Sequence, residues 1–388
     1  MIQIDSEQVT QYLRDLVAID SVNPACDPAG KGEGEISAYL AWQMRALGLD
    51  VERTEIQAGR YNVVGVLHGN SGGNSLMWNA HTDTVKTGGM RQPFTPKLDQ
   101  GKCFGRGAID MKASLAGMLA AVKGILKSGT RLEGDLILAA VADEEWGSLG
   151  TEALVKTHHT TAAIVTEPTD LRICLAHRGY IHYRIETTGK AAHGSRYDQG
   201  VDANLHMGRF LCRLETLEQE LRGRPPHPLV GTASLHAALL QGGSEMSVYA
   251  AHCELNIERR TLPGELEGQV TQEFQIILDE LALADPKFSG RLQEIARREP
   301  FEVSREVGIV RCLDNAAHSH LGESPGFSGQ WFWTDAALLA GSGIETVVFG
   351  PVGGGLHADE EWVEIDSVVK MAGVLADTAL DYCNGGPG

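Results

Sequence analysis

The sequence predicts an α/β fold: a mostly parallel sheet domain interrupted by an inserted α+β, ferredoxin-like module. Three observations carry this. Short apolar runs alternate with helical stretches up to about residue 179, the order then becomes β-α-β-β-α-β, and the α/β pattern resumes after Pro300. The boundaries read as 1–179 and 299–388 for the outer domain and 180–298 for the insertion.

Taken in order, residues 5–19 and 35–48 carry apolar side chains at helical spacing, the second stretch stopping at Gly48. Residues 63–67, 75–80, 136–142 and 162–166 are short apolar runs bounded by turn residues, the mark of buried strands. Between them, 112–127 is rich in Ala, Leu and Met and reads as a helix. The insertion offers strand 180–188, helix 201–222, strands 229–240 and 247–260, helix 265–284 and strand 288–298. Strand 346–349 and a helix from about residue 366 close the chain.

Composition narrows the function. Apolar residues at 43% and charged residues at 22% suit a globular protein with sizeable cores. A net charge of −18 disfavours nucleic acid and anionic membrane surfaces as partners. The polar, acidic start MIQIDSEQVTQYL lacks the features of a signal peptide, and no apolar run is long enough to span a bilayer. Seven scattered cysteines without a CxxC pair argue against a disulfide framework or thiolate zinc site and for a reducing compartment, hence a cytoplasmic location.

Chemistry gathers where strands end. The run 75–80 leads into His81-Thr82-Asp83, 136–142 into Asp143-Glu144-Glu145, 162–166 into Glu167, and 346–349 through a glycine-rich turn to His357. Asp110 lies in a turn just before the helix at 112. Ligand sites of open α/β sheets lie beyond the carboxyl ends of the strands, so the pattern gathers imidazoles and carboxylates at one edge. Singly each piece is weak, because adjacent glutamates usually form a solvated turn. Together they make a mixed His/carboxylate set that suits zinc, cobalt or manganese better than calcium or magnesium. Other motifs fall away. Gly69-Asn70-Ser71-Gly72-Gly73 spells a nucleophile elbow but precedes a strand, where that motif requires a helix. His158-His159 and His318-Ser319-His320 have no partnering strand ends, Trp331-Phe332-Trp333 reads as core or pocket wall, and no nucleotide-binding glycine motif is present.

Six stretches resemble the dinuclear-zinc amidohydrolases that include acetylornithine deacetylase, succinyl-diaminopimelate desuccinylase, aminoacylase and carboxypeptidase G. They are Asn79-Ala-His-Thr-Asp-Thr-Val85, Gly105-Arg-Gly-Ala-Ile-Asp-Met-Lys112, Asp143-Glu-Glu-Trp-Gly-Ser148, Thr166-Glu-Pro168, Ala192-His-Gly-Ser195 and Gly355-Leu-His-Ala358. The resemblance implies two divalent ions per chain, with His81 and Glu167 holding one, Glu145 and His357 the other, and Asp110 bridging both. It implies Glu144 as general base, Asp83 hydrogen-bonding the far nitrogen of His81, a cis Asp110–Met111 peptide, and His193 stabilising an oxyanion. It also selects Arg260 as the group that grips a substrate carboxylate, strand alternation leaving Arg259 on the other face. The implied activity is removal of an acyl group from an N-acyl amino acid. The alternatives are a dipeptidase or carboxypeptidase G-like exopeptidase, or a non-catalytic binding protein of the same fold. The insertion would be a lid and homodimerisation domain, with His193 lent to the partner's site.

Overall fold

The computed structural model describes residues 1–70 and 72–386, so Ser71 of the elbow look-alike lies outside the described residues. Two units divide the chain: Met1–Leu175 with Val303–Ser328 and Thr334–Gly388, and Ala176–Glu302 with Gly329–Trp333.

The first unit is built on a mixed sheet. In chain order its strands are β1 (Asp50–Gln57), β2 (Arg60–Leu67), β3 (Leu76–His81), β4 (Leu136–Val141), β5 (Ala162–Val165) and β6 (Ile173–His177), and Glu345–Val348 joins them late. The spatial order is β1-β2-β4-β3-β5, then Glu345–Val348, then β6. The four central strands, β4, β3, β5 and Glu345–Val348, are parallel, whereas β1, β2 and β6 pair antiparallel at the flanks. Every residue of β3, β4 and β5 is buried, as a strand covered on both faces requires. Helices α1 (Ser6–Val17), α2 (Gly34–Ala46) and α3 (Ala113–Ser128) pack around the sheet with Ile365–Cys383, and α3 is apolar on nearly all sides because it is buried by α1 and Ile365–Cys383. Parallel direction sends the carboxyl ends of β3, β4 and β5 to one edge, which is what gathers the site residues.

A small second sheet in this unit pairs Lys97–Asp99 with Lys102–Phe104, and the latter with Trp362–Glu364, which pairs in turn with Gly353–Gly354. His357 lies in the turn between Gly353–Gly354 and Trp362–Glu364. Gly355 makes that turn possible: at φ +78 a Cβ would sit 1.8 Å from the Glu360 carbonyl oxygen.

The second unit holds β7 (Gly179–Thr188), α4 (Ala203–Gly223), β8 (Ser234–Gly242), β9 (His252–Thr261), α5 (Glu267–Ala284) and β10 (Gly290–Arg298). Its sheet is antiparallel in the order β8-β9-β7-β10, the ferredoxin-like arrangement. Ile181, Tyr183, Ile185, Leu255 and Ile257 form one core with Phe210 and Phe274 of the helices. Strands β8 and β9 begin about five residues later than 229 and 247. Val230 and Ala233 are apolar because they pack into this core from a loop, not because they lie on a strand.

Alternation along β9 separates Arg259 from Arg260. Arg259 is fully buried on the helix side, where Glu265 takes its Nη2 at 2.7 Å and Glu273 its Nε at 3.2 Å. Arg259→Ala is therefore expected to destabilise this unit by about 2 kcal/mol, since it removes charge-assisted hydrogen bonds to two carboxylates, of which Glu273 keeps Arg224 at 2.6 Å and Glu265 the N–H of Leu262 at 2.8 Å. A urea unfolding curve indistinguishable from wild type would refute that expectation.

Candidate metal centre

The five predicted metal ligands meet at the edge of the first unit's sheet. His81 ends β3, Glu144 and Glu145 follow β4, and Glu167 follows β5. Asp110 comes from the turn that enters α3, where the Asp110–Met111 peptide is cis. His81 Nε2 lies 2.9 Å from Asp110 Oδ1 and 3.5 Å from Glu167 Oε1. His357 Nε2 lies 3.2 Å from Asp110 Oδ2 and 3.1 Å from Glu145 Oε2. Asp110 thus faces one imidazole with each of its oxygens. Donor atoms of His81, Glu144 and Glu167 all lie within 4.8 Å of one another, as do those of His81, Asp110 and Glu145.

The contact of Asp83 with His81 departs from expectation. His81 Nδ1 donates to the main-chain carbonyl of Asp83 at 3.0 Å, and the carboxylate stands back at 3.7 Å. The carboxylate instead accepts the main-chain N–H groups of Glu144 (3.1 Å) and Glu145 (3.2 Å). The outcome for His81 is the same tautomer, with hydrogen on Nδ1 and the Nε2 lone pair turned to the site. The physical reason for the difference is that two orphan amides just past β4 compete for the same carboxylate and win.

Charge dominates this edge. Burial works against a proton on His81, but Asp110 and Glu167 override it and hold the imidazolium well above its ordinary range. Hydrogen bonds to Asp110 and Glu145 push His357 up to about 10. Burial would raise Asp110, but the bonds from His357 and His81 hold it below the usual carboxylate range. Burial, then the charge of Asp110, pushes Glu145 up to about 7. Glu144 and Glu167 are both raised well above the ordinary value, chiefly by burial. Four clustered carboxylates against two imidazoles demand further positive charge, and Glu145 Oε1 is buried with no hydrogen-bond partner. This nitrogen-and-oxygen donor set fits divalent ions of the zinc, cobalt and manganese kind.

A titration consequence follows. In the protein stripped of metal the surroundings favour protons on His81, His357, Glu145 and Glu167, and metal binding must expel them. Zinc uptake is therefore expected to release about two protons or more per chain and to tighten as pH rises from 6 to 8. Calorimetry in buffers of different ionisation heat measures the count, and a pH-independent affinity would contradict it.

Several supporting residues escaped the motif reading. Glu361 accepts the main-chain N–H groups of Gly107 (2.9 Å), Ile109 (3.0 Å) and Asp110 (3.2 Å) and pairs with Arg106 at 2.7 Å, fixing the turn that presents Asp110. Asn23, Glu33 and Arg60 form a buried network behind Glu144 and Glu145. No spacing signal marks these four, since their partners are remote in sequence.

Two predicted residues belong to the second unit. His193 is exposed, and its Nδ1 accepts the main-chain N–H of Ser195 at 3.2 Å, which leaves the hydrogen on Nε2. Arg260 is on the open face of β9, its Nε held by Glu258 at 2.7 Å and its guanidinium 5.3 Å from the ring centre of Tyr180.

Imidazoles and carboxylates converging at the carboxyl edge of an α/β sheet define a candidate site for divalent metal ions. Residues 77–381 match peptidase family M20/M25/M40, and the chain belongs to that family. It is a metallohydrolase acting on amide bonds, in a family whose centres bind two metal ions. An acetylornithine deacetylase of Myxococcus xanthus is 30% identical over 369 residues, covering 89% of this chain and 92% of its own. The N-formyl-4-amino-5-aminomethyl-2-methylpyrimidine deformylase of Bacillus subtilis is 28% identical over 412 residues, covering 97% and 95%. The crystal structure of the aminopeptidase PepT from Bacillus cereus superposes with a TM-score of 0.81 at 20% identity, covering 97% of this chain and 98% of its own, a likeness of fold. No helix among the described residues is long and apolar enough to cross a membrane.

Proposed function

We propose that this protein is a dizinc deacylase that removes the acyl group from an N-acyl amino acid, as an acetylornithine deacetylase does. The observation that carries the reading is the convergence of buried His81, Asp110 and Glu167 with Glu145 and the exposed His357, and Glu144 beside them. Identity of 30% to a relative named acetylornithine deacetylase supports the substrate class. In this reading His81 and Glu167 would hold one ion and Glu145 and His357 the second, with Asp110 shared between them. Ions held there would supply polarisation of the scissile carbonyl and acidification of a water.

The chain's own groups move the protons and place the substrate. Glu144 accepts a proton from the attacking water and delivers it to the amide nitrogen as the C–N bond breaks, a task suited to a carboxylate whose proton affinity burial has raised. Asp83 holds the amides of Glu144 and Glu145 and, through its carbonyl, the His81 ring. His193 donates from Nε2 to the developing oxyanion. Arg260, tethered at Nε by Glu258, offers its terminal nitrogens to the substrate carboxylate. Residues 180–298 serve as lid and homodimerisation domain, around the catalytic parts 1–179 and 299–388. Seven free cysteines support a cytoplasmic site of action.

A panel of N-acyl amino acids, their carboxamides and dipeptides tests this. Free acids of the N-acyl series should be preferred, and Arg260→Ala should raise KM about 10–100-fold, the worth of a charge-assisted hydrogen bond. Equal turnover of acid and carboxamide would remove Arg260 from this role, and preference for dipeptides would make the enzyme an exopeptidase.

A further inference from the structure

Behind Glu144 and Glu145 lies a cluster of which the mechanism uses only Asp83. Glu33, Asn23, Arg60, Asp83 and Asp143 are all buried, between 0% and 8% exposed. Two of the three carboxylates, Glu33 and Asp143, share one guanidinium there. Arg60 grips Glu33 through Nε and Nη2, each at 2.6 Å, and Nη2 also reaches Asp143 Oδ1 at 2.8 Å. Asn23 supplies the remaining link. Its Nδ2 donates to Asp83 Oδ2 at 2.8 Å and to Asp143 Oδ1 at 2.9 Å.

These contacts act on one short backbone segment. Glu33 accepts the main-chain N–H of Asp143 at 3.2 Å, and Asp83 accepts those of Glu144 and Glu145. Three successive amides are thereby held by two buried carboxylates. Asp143 sits at φ +71, a conformation that needs such support in a residue with a side chain. Asn23 is itself fixed. Its Oδ1 accepts the N–H of Ala25 at 2.9 Å, which sets the orientation of the amide, and its own N–H donates to Thr84 at 2.9 Å. A neutral amide with two hydrogens can join two carboxylates without adding charge, whereas an acid at position 23 would repel both.

We infer that Asn23 and Arg60 are positioning residues, which lock Asp83 to Asp143 and so hold Glu144 and Glu145 in register with the metal centre. The inference rests on the reading of Glu144 as base and Glu145 as ligand. Both residues precede the segment 77–381 that matches the family. Nothing local in the sequence marks them, and their role emerges only where α1's following loop and β2 meet the end of β4.

The test measures kcat and KM separately, zinc retention against a chelator, and urea unfolding, for Asn23→Ala, Asn23→Ser and Arg60→Lys in the zinc-loaded enzyme. Outer contacts of this kind are worth about 10–100-fold in metal affinity or activity. Asn23→Ala should lower kcat and weaken zinc retention by factors in that range with KM within about twofold. Asn23→Ser keeps one donor and should lose less on both readouts, while Arg60→Lys keeps the charge but not the fork and should fall between. If Asn23→Ala does not fold, the two milder variants decide. A purely structural role would lower the unfolding midpoint while leaving kcat per folded chain and zinc retention at wild-type values, and that result overturns the inference. Glu144→Gln serves as the control. If it is inactive while the three variants keep full kcat and zinc retention, only the positioning role fails, whereas an active Glu144→Gln removes the reading beneath it.

Discussion

Glu144→Gln is expected to lower kcat by about 10²–10⁴-fold while two zinc ions remain bound. The amide keeps the shape of the side chain but cannot accept a proton, so the attacking water and the leaving amine both lose their partner. Its neighbour should behave differently. Glu145 contacts His357 at 3.1 Å and keeps a buried oxygen without a hydrogen-bond partner, so Glu145→Gln should shed metal first and activity with it. Metal analysis beside steady-state kinetics separates the two phenotypes. If the variants exchanged them, the assignment of base and ligand within this adjacent pair would be reversed.

The second large effect concerns His193, whose free Nε2–H is the proposed oxyanion donor. Alone, His193→Ala and Glu144→Gln should each be nearly inactive. Mixed under conditions of subunit exchange they should regain activity if the proposed dimer forms, because a mixed dimer would then contain one site with Glu144 from one chain and His193 from the other. Random exchange makes about half the dimers mixed, so recovery should approach roughly a quarter of wild-type sites. The exposed second-unit strand β8, with Leu239 and Leu240 open to solvent, is the edge through which such pairing would run. Absence of recovery despite demonstrated exchange would place the histidine in its own chain's site or in none, and a fully active monomer would end the dimer proposal.

Three of the five proposed ligands were legible because they sit at or just past strands whose burial shows as an unbroken apolar run, whereas Asp110 and His357 come from turns and were assigned as ligands through the family resemblance. His81 ends β3, and Glu145 and Glu167 come within four residues of their strands, so fold prediction and site prediction were one inference. The elements missed have physical reasons. Strand β1 reads Asp-Val-Glu-Arg-Thr-Glu-Ile-Gln and is mostly exposed at the sheet edge, so it carries no apolar signal. Trp331, expected in a core or pocket wall, is 69% exposed and its ring lies 5.0 Å from the guanidinium of Arg178, because an aromatic run does not reveal whether its partner is a core or a cation. Glu361, Asn23 and Arg60 were invisible for another reason: each takes its meaning from backbone amides or carboxylates far away in the chain, which a polar residue in a loop does not announce. Asp83 was placed near His81 by its spacing, yet which of its oxygens faces the ring depended on amides that only the folded β4 terminus presents.

The order of ligands along the chain also bears on how the enzyme is made. Four of the five proposed ligands are encoded before the second unit, but His357 follows it, and so does Glu345–Val348, the strand that lies between β5 and β6. During synthesis at about 5–20 residues per second, the first segment waits roughly ten to thirty seconds for its missing strand and last imidazole. Throughout that interval β5 has an unpaired edge, and Asp110 and Glu145 lack the imidazole that faces them both. The second unit, whose four strands and two helices are continuous in the chain apart from five residues at Gly329–Trp333, can form its core before the catalytic sheet closes. Ribosome-bound chains halted before residue 345 should therefore protect β7 and β9 from proteolysis while leaving β5 open to cleavage.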